Sequence, residues 1–187
     1  MPRRREQFTS RQRNFMQRSV DVTDVRQRFL IVCEGSKTEP NYFKKFRVPR
    51  VVIDVEGVGR NTLGIIDEAE RHNNAGEYDQ VWCVFDKDDY SIDQFENAIE
   101  RAKSFGFHVA YSNQSFELWY LLHFEFLNSA INRQQYISKL ETYMKRQYRK
   151  NDPSMYDLLR CNLDDAIRHS ERLLRLYQPL HPGRDDP

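Results

Sequence analysis

The sequence predicts a three-layer α/β domain: a mainly parallel central sheet of about four strands, helices on both faces, and a helical extension at the C-terminal end. Three observations carry this. Short apolar runs alternate with helical periodicity from residue 29 to residue 111, the pattern of parallel strands joined by crossover helices. Two of those runs, residues 29–33 and 81–85, are apolar throughout, as strands covered on both faces require. Beyond residue 111 the periodicity is helical only.

Taken in order, residues 1–27 lack periodicity and read as a mobile, Arg-rich arm. Residues 28–130 form the α/β core, 131–178 a helical extension packed on it, and 179–187 a flexible tail. Strand one covers residues 29–33, and Gly35 permits a tight strand-to-helix turn. Thr38 is placed to cap a helix with Pro40 in its first turn and Tyr42, Phe43 and Phe46 on its buried face. Residues 51–55 make strand two, ahead of a turn at Gly57, Val58 and Gly59. Asn61 then caps a helix with Leu63, Ile66 and Ala69 on one side.

Strand three is residues 81–85. Ser91 and Gln94 suggest a capping box for a helix burying Ile92, Phe95, Ile99, Ala102 and Phe105, stopped by Gly106. Strand four is residues 107–111. Residues 116–124 are too apolar for a surface helix and belong in the core. Tyr136, Leu140, Tyr143 and Met144 share one amphipathic face. Leu163, Ala166, Ile167, Ser170, Leu173, Leu174 and Tyr177 share another.

Composition narrows the function. No apolar run reaches the roughly 18 residues of a membrane helix, and nothing resembles a secretory signal. The three cysteines are odd in number and far apart; Cys33 and Cys83, inside predicted strands, fit small buried thiols better than ligands or a disulfide, and a reducing cytoplasm suits the set. The five histidines lack zinc-type spacing. The formal charge of +1 conceals an uneven distribution. Residues 1–28 hold eight Arg against three acids, residues 29–132 ten basic against seventeen acidic side chains, and residues 133–187 eleven against eight. A polyanion is attracted to the two ends and metal cations to the middle.

The chemistry concentrates where strands end. Val81 to Phe85 run straight into Asp86, Lys87, Asp88 and Asp89. Side chains i and i+2 of an extended chain share a face, so Asp86 and Asp88 project together beyond strand three. Close ionised carboxylates repel unless a cation lies between them, and hard oxygen donors suit Mg²⁺ or Mn²⁺. Strand one likewise ends in Glu34, at the sheet edge where open α/β sheets bind ligands. The plainer reading of Asp86 to Asp89 is a polar turn.

Three blocks carry a resemblance to a known family. Cys33-Glu34-Gly35-Ser36-Lys37-Thr38-Glu39-Pro40-Asn41-Tyr42-Phe43, then Val84-Phe85-Asp86-Lys87-Asp88-Asp89, then Ser112-Asn113-Gln114-Ser115-Phe116-Glu117-Leu118-Trp119 resemble, in the same order, the signature blocks of the RloB-like family. The resemblance covers about residues 28 to 177. That family is similar to the Toprim superfamily of topoisomerase, primase and nuclease domains. The resemblance implies a Rossmann-like Toprim domain, one or two Mg²⁺ or Mn²⁺ ions, a nucleic acid substrate, and a role in bacterial anti-phage defence or abortive infection. It also implies a partner ATPase, and leaves a homo-oligomer open.

Carried over by position, Glu34 becomes the glutamate after strand one, and Asp86 with Asp88 the metal-holding pair. Glu34 is a ligand or, if its pKa is raised, a general acid/base. Glu39 and Glu117 are candidates for a second ion. Glu39 alternatively complements a helix dipole, while Glu117, in an apolar run, needs a partner or a metal. Asp89 reads as a cap or a solvent-facing group. Lys37 is a candidate to grip the scissile phosphate, against the alternative of a solvated lysine. Ser112 and Asn113 are candidates to bind substrate, or helix caps. Trp119, Tyr120 and Phe124 are assigned to the core, and His123 to a satisfied buried histidine.

The favoured activity is metal-dependent phosphodiester hydrolysis, with Glu34, Asp86, Asp88, Glu117 and Lys37 as catalytic candidates. The rival of another class is a non-catalytic module that binds a partner ATPase or senses a phage signal. A topoisomerase needs a tyrosine nucleophile and a strand gate for which the chain is too short, and a primase needs template and nucleotide sites with no visible home. Receiver domains and haloacid-dehalogenase-type phosphatases place their acidic pair after strand one, where this chain has a single Glu.

Overall fold

The computed structural model describes residues 26–59, 62–87 and 92–177. Four strands, β1 (Gln27–Cys33), β2 (Val51–Gly57), β3 (Gln80–Lys87) and β4 (His108–Asn113), form one sheet in the order β2-β1-β3-β4, with every pairing parallel. β1 ends at Cys33 as expected but starts two residues earlier, and the other three run two residues past their expected carboxyl ends. β3 extends through Asp86 and Lys87, and β4 reaches Asn113, so Ser112 and Asn113 are strand residues instead of a helix cap. The extra pairs Asp86 with Ser112 and Lys87 with Asn113 supply the reason, since ladder hydrogen bonds continue beyond the apolar run.

Strand alternation divides the apolar side chains between two layers. Leu30, Val32, Cys83 and Phe85 face Ile65, Ile66 and Ala69 of helix α2 (Thr62–Ala75) and Phe95, Ala98 and Ala102 of helix α3 (Ile92–Ser104). Cys33, Val55 and Val84 face the other way. They meet Tyr42 of α1 (Thr38–Phe43), Tyr120 and Leu121 of α4 (Glu117–Leu122), and Tyr136 and Leu140 of α5 (Arg133–Met144). Helix α6 (Met155–Leu159) adds Met155 and Leu159 to this layer, and α7 (Leu163–Tyr177) packs on α4. The helical extension therefore continues one core layer. Among the described residues no helix is long and apolar enough to cross a membrane.

Several local expectations change. Thr38 is the first helical residue and not the cap; its hydroxyl donates instead to Asn151 Oδ1 at 2.7 Å. Leu63 is exposed and Ile65 takes its place, because the buried stripe of α2 runs 65, 66, 69. Phe105 lies past the end of α3, half-exposed, stacked on Phe107. Gly106 does stop that helix, with φ at +74°. Tyr143 is exposed and stacks on Phe124. Ile167, Leu174 and Tyr177 are exposed on α7, whose buried residue is Ala166. Asn61 and Ser91, expected as caps, lie outside the described residues, as do Asp88 and Asp89.

Candidate metal centre

The strand order fixes where the acids meet. β1 is followed by β2 on one side, and the chain then crosses to place β3 on the other. The carboxyl ends of β1 and β3 are thus a topological switch point, the place where open α/β sheets bind ligands. Glu34 follows β1 and Asp86 lies near the end of β3. Their backbones are tied, since Glu34 N–H donates to the Val84 carbonyl at 2.8 Å. The side chain joins in: Glu34 Oε2 accepts a hydrogen bond from the Asp86 N–H at 3.0 Å.

Two more carboxylates come in from the helices. Glu39, in the first turn of α1, is 5% exposed, and its Oε2 has no hydrogen-bond partner among the described residues. Its carboxylate lies over Gly35, where an added Cβ would overlap it. A side chain at position 35 would have to push that carboxylate aside. The turn does not need a left-handed backbone there, since the described glycines with positive φ are Gly59 and Gly106. Glu117 opens α4, is equally buried, and accepts a hydrogen bond from Tyr148 Oη at 2.8 Å.

The electrostatics show that these groups feel one another. Burial pushes the Asp86 carboxyl up to about 7, and the negative charges of Glu39, Glu34 and Glu117 add to that, with Arg133 opposing. Burial also raises Glu39; Glu117 and Glu34 reinforce the shift, while its own backbone N–H and Lys150 counter it. Four carboxylates gathered with little compensating charge are costly unless protonated or bridged by a cation. Their oxygens are the hard donors that Mg²⁺ and Mn²⁺ prefer, and the orphaned Glu39 Oε2 is a vacant donor of that type. Among the described residues, no three such groups already converge into a coordination shell. Asp88, the expected companion of Asp86, lies outside them.

The remaining candidates distribute unevenly. Ser112 is buried opposite Asp86 in the β3–β4 ladder. Asn113 is exposed, and its carbonyl accepts from Tyr136 Oη at 3.3 Å. Lys37 is exposed at the N-cap position of α1, a helix of six residues and so a weak dipole for holding anions. His123 is buried and satisfied: Nδ1–H donates to the Trp119 carbonyl at 2.9 Å, so Nε2 accepts from Tyr42 Oη at 3.1 Å. Tyr120 is core, as expected, though its hydroxyl sits in the field of Glu117 and Glu39. Sequence reasoning missed Tyr148, Arg133 and Lys150, all from the helical extension. The one local signal was Asn151-Asp152-Pro153, a turn-forming run between helices.

An α/β domain with acids assembled at the switch point of a parallel sheet is the class that this geometry defines. The family is more particular: residues 29–182 match the model of the RloB-like protein family, and the chain belongs to it. No curated protein and no solved structure matches the chain.

Proposed function

We propose that this protein is a divalent-metal-dependent nuclease of Toprim type, acting as an effector of bacterial anti-phage defence. The observation that carries the reading is the tie between Glu34 and Asp86 across two strand ends, with Glu39 and Glu117 buried alongside. Glu34 and Asp86 would hold the ion, with Asp88 as third ligand and Glu39 and Glu117 available to a second. A bound ion supplies neutralisation of phosphate charge and a water of lowered pKa. The Asp86 N–H keeps Glu34 aimed at its neighbour, so the two carboxylates arrive together. A bound cation would favour the ionised forms of Asp86 and Glu39, whose proton affinities burial raises. Exposed Lys37, after β1, would meet a substrate phosphate, and Ser112 and Asn113, at the end of β4, would bind substrate as well.

The test compares metal-dependent cleavage of plasmid, single-stranded DNA and tRNA by the wild type and by Asp86→Ala. Loss in the variant supports the site; equal cleavage removes it. A second reading is a non-catalytic module that binds a partner ATPase or a phage-derived signal, since an acidic site can bind metal without turnover. Metal-dependent thermal stabilisation without cleavage of any of these substrates would select it.

A further inference from the structure

The connection between α5 and α6 is pinned to the acidic site at several points. Tyr148 Oη donates to Glu117 Oε1 at 2.8 Å, both residues buried. Asn151 receives the Thr38 hydroxyl on its side chain at 2.7 Å and the Asn41 amide on its carbonyl at 3.0 Å. Both donors belong to α1, the helix that carries Glu39. The segment is also braced internally. Tyr148 N–H donates to Glu141 Oε1, while Asp152 takes bonds from Arg146 and from Ser154. Asn151 itself adopts a left-handed backbone, φ +66°, a conformation that asparagine tolerates better than most residues.

We propose that this connection forms a wall of the site, and that Tyr148 is a positioning residue that orients Glu117 for a divalent cation. The inference rests on the metal-binding part of the reading above. Its physical basis is the type of donor. A lysine or arginine beside Glu117 would discharge the carboxylate and compete with an incoming ion. A phenol fixes one oxygen and leaves the negative charge in place. Glu39 Oε2 meanwhile has no hydrogen-bond partner among the described residues, although it is just as deeply buried. The pattern is that of a site with acids oriented but not neutralised.

The experiment titrates the full-length metal-free protein with Mn²⁺ by calorimetry, and follows cleavage in parallel. Tyr148→Phe keeps the ring and removes the donor; Asn151→Gly keeps the left-handed backbone and removes the side-chain clamp to Thr38. Tyr143→Phe is the control, since that hydroxyl donates to Glu125 Oε2, a carboxylate outside the site. The expectation is Mn²⁺ affinity weakened about tenfold or more in Tyr148→Phe, less in Asn151→Gly, and unchanged in the control. If cleavage occurs, the loss falls on the metal dependence of the rate.

Wild-type affinity in Tyr148→Phe, even with a lowered melting temperature, would show a merely structural bond and overturn the inference alone. Should that variant not fold, Asn151→Gly decides by the same criterion. Mn²⁺ binding without cleavage by the wild type leaves the inference standing and removes only the hydrolytic reading. No Mn²⁺ binding by the wild type overturns both.

Discussion

The two ends of the same sheet treat acidic side chains in opposite ways. Toward the amino-terminal end, Asp54 is paired with the Arg28 guanidinium at 3.0 Å and accepts from Tyr78 Oη at 3.1 Å. Arg28 also lies over the Tyr78 ring, and Asp79 closes the corner by accepting from the Arg28 N–H at 2.7 Å. Asp54, Arg28 and Asp79 each have an opposite charge or a donor beside them, and the groups are partly exposed. At the carboxyl end, Glu39 and Glu117 are buried and their negative charges act on Asp86, while Glu34 accepts from the Asp86 N–H and Glu117 from the Tyr148 phenol. The first arrangement is ordinary surface pairing. The second raises proton affinities and leaves a buried oxygen unsatisfied, which stability alone would not select.

That contrast is broken most severely by removing an acid from each end. Asp86→Ala should reduce metal-dependent cleavage about a thousand-fold or more, measured on whichever nucleic acid the wild type cuts. Asp54→Ala should leave the cleavage rate within about twofold and shift stability by at most about 1 kcal/mol in chemical denaturation. Comparable losses in both would mean that the acids at the carboxyl end have no special standing.

A smaller effect is expected from crowding the site without removing an acid. Gly35→Ala places a methyl where the Glu39 carboxylate lies. We expect about a 10- to 100-fold loss of metal affinity, with about 1–3 kcal/mol of destabilisation. In a Glu39→Ala background the added methyl should cost far less stability. Equal costs in both backgrounds would show that Glu39 does not occupy that space.

Proton linkage sharpens the comparison further. The Asp86 carboxyl is raised to about 7 in the folded protein, so the native state holds its proton more tightly than the unfolded chain does. Stability of the chelator-treated protein should therefore rise as pH falls from about 8 through 7, and Asp86→Asn should flatten the profile. Burial shifts His123 the other way, so its neutral form is favoured in the native state. Its contribution is lost as pH falls below the ordinary imidazole value of about 6.5, which offsets the continuing gain from Asp86 and levels the profile there. Melting temperatures across this range, with and without the Asn substitution, separate the two effects. The smallest expected change is from Arg28→Ala, a partly exposed pair worth a few tenths of a kcal/mol to about 1 kcal/mol.

The sheet was legible because its determinants are local. Apolar runs at Leu30–Val32 and Val81–Phe85 carry strand identity in their own composition, and helical spacing marked Phe95 and Ala102 as core. Strand ends were less legible, since Asp86, Lys87, Ser112 and Asn113 extend the ladder by backbone pairing that composition does not encode. Leu63 and Phe105 misled because an amphipathic stripe defines a face only once the first and last helical residues are known. Glu34 and Asp86 were readable as a pair because both follow apolar strands. Tyr148 was not: it reaches Glu117 across 31 residues through a loop held by Asn151, and no periodicity reports such a contact.

The central claim is that carboxylates ending two separate strands share one ion, and a crystal soaked in Mn²⁺ tests it most directly. The anomalous difference map should show a peak at about 2.0–2.3 Å from oxygens of both Glu34 and Asp86. A peak bound to neither residue, or to one alone, would contradict the account.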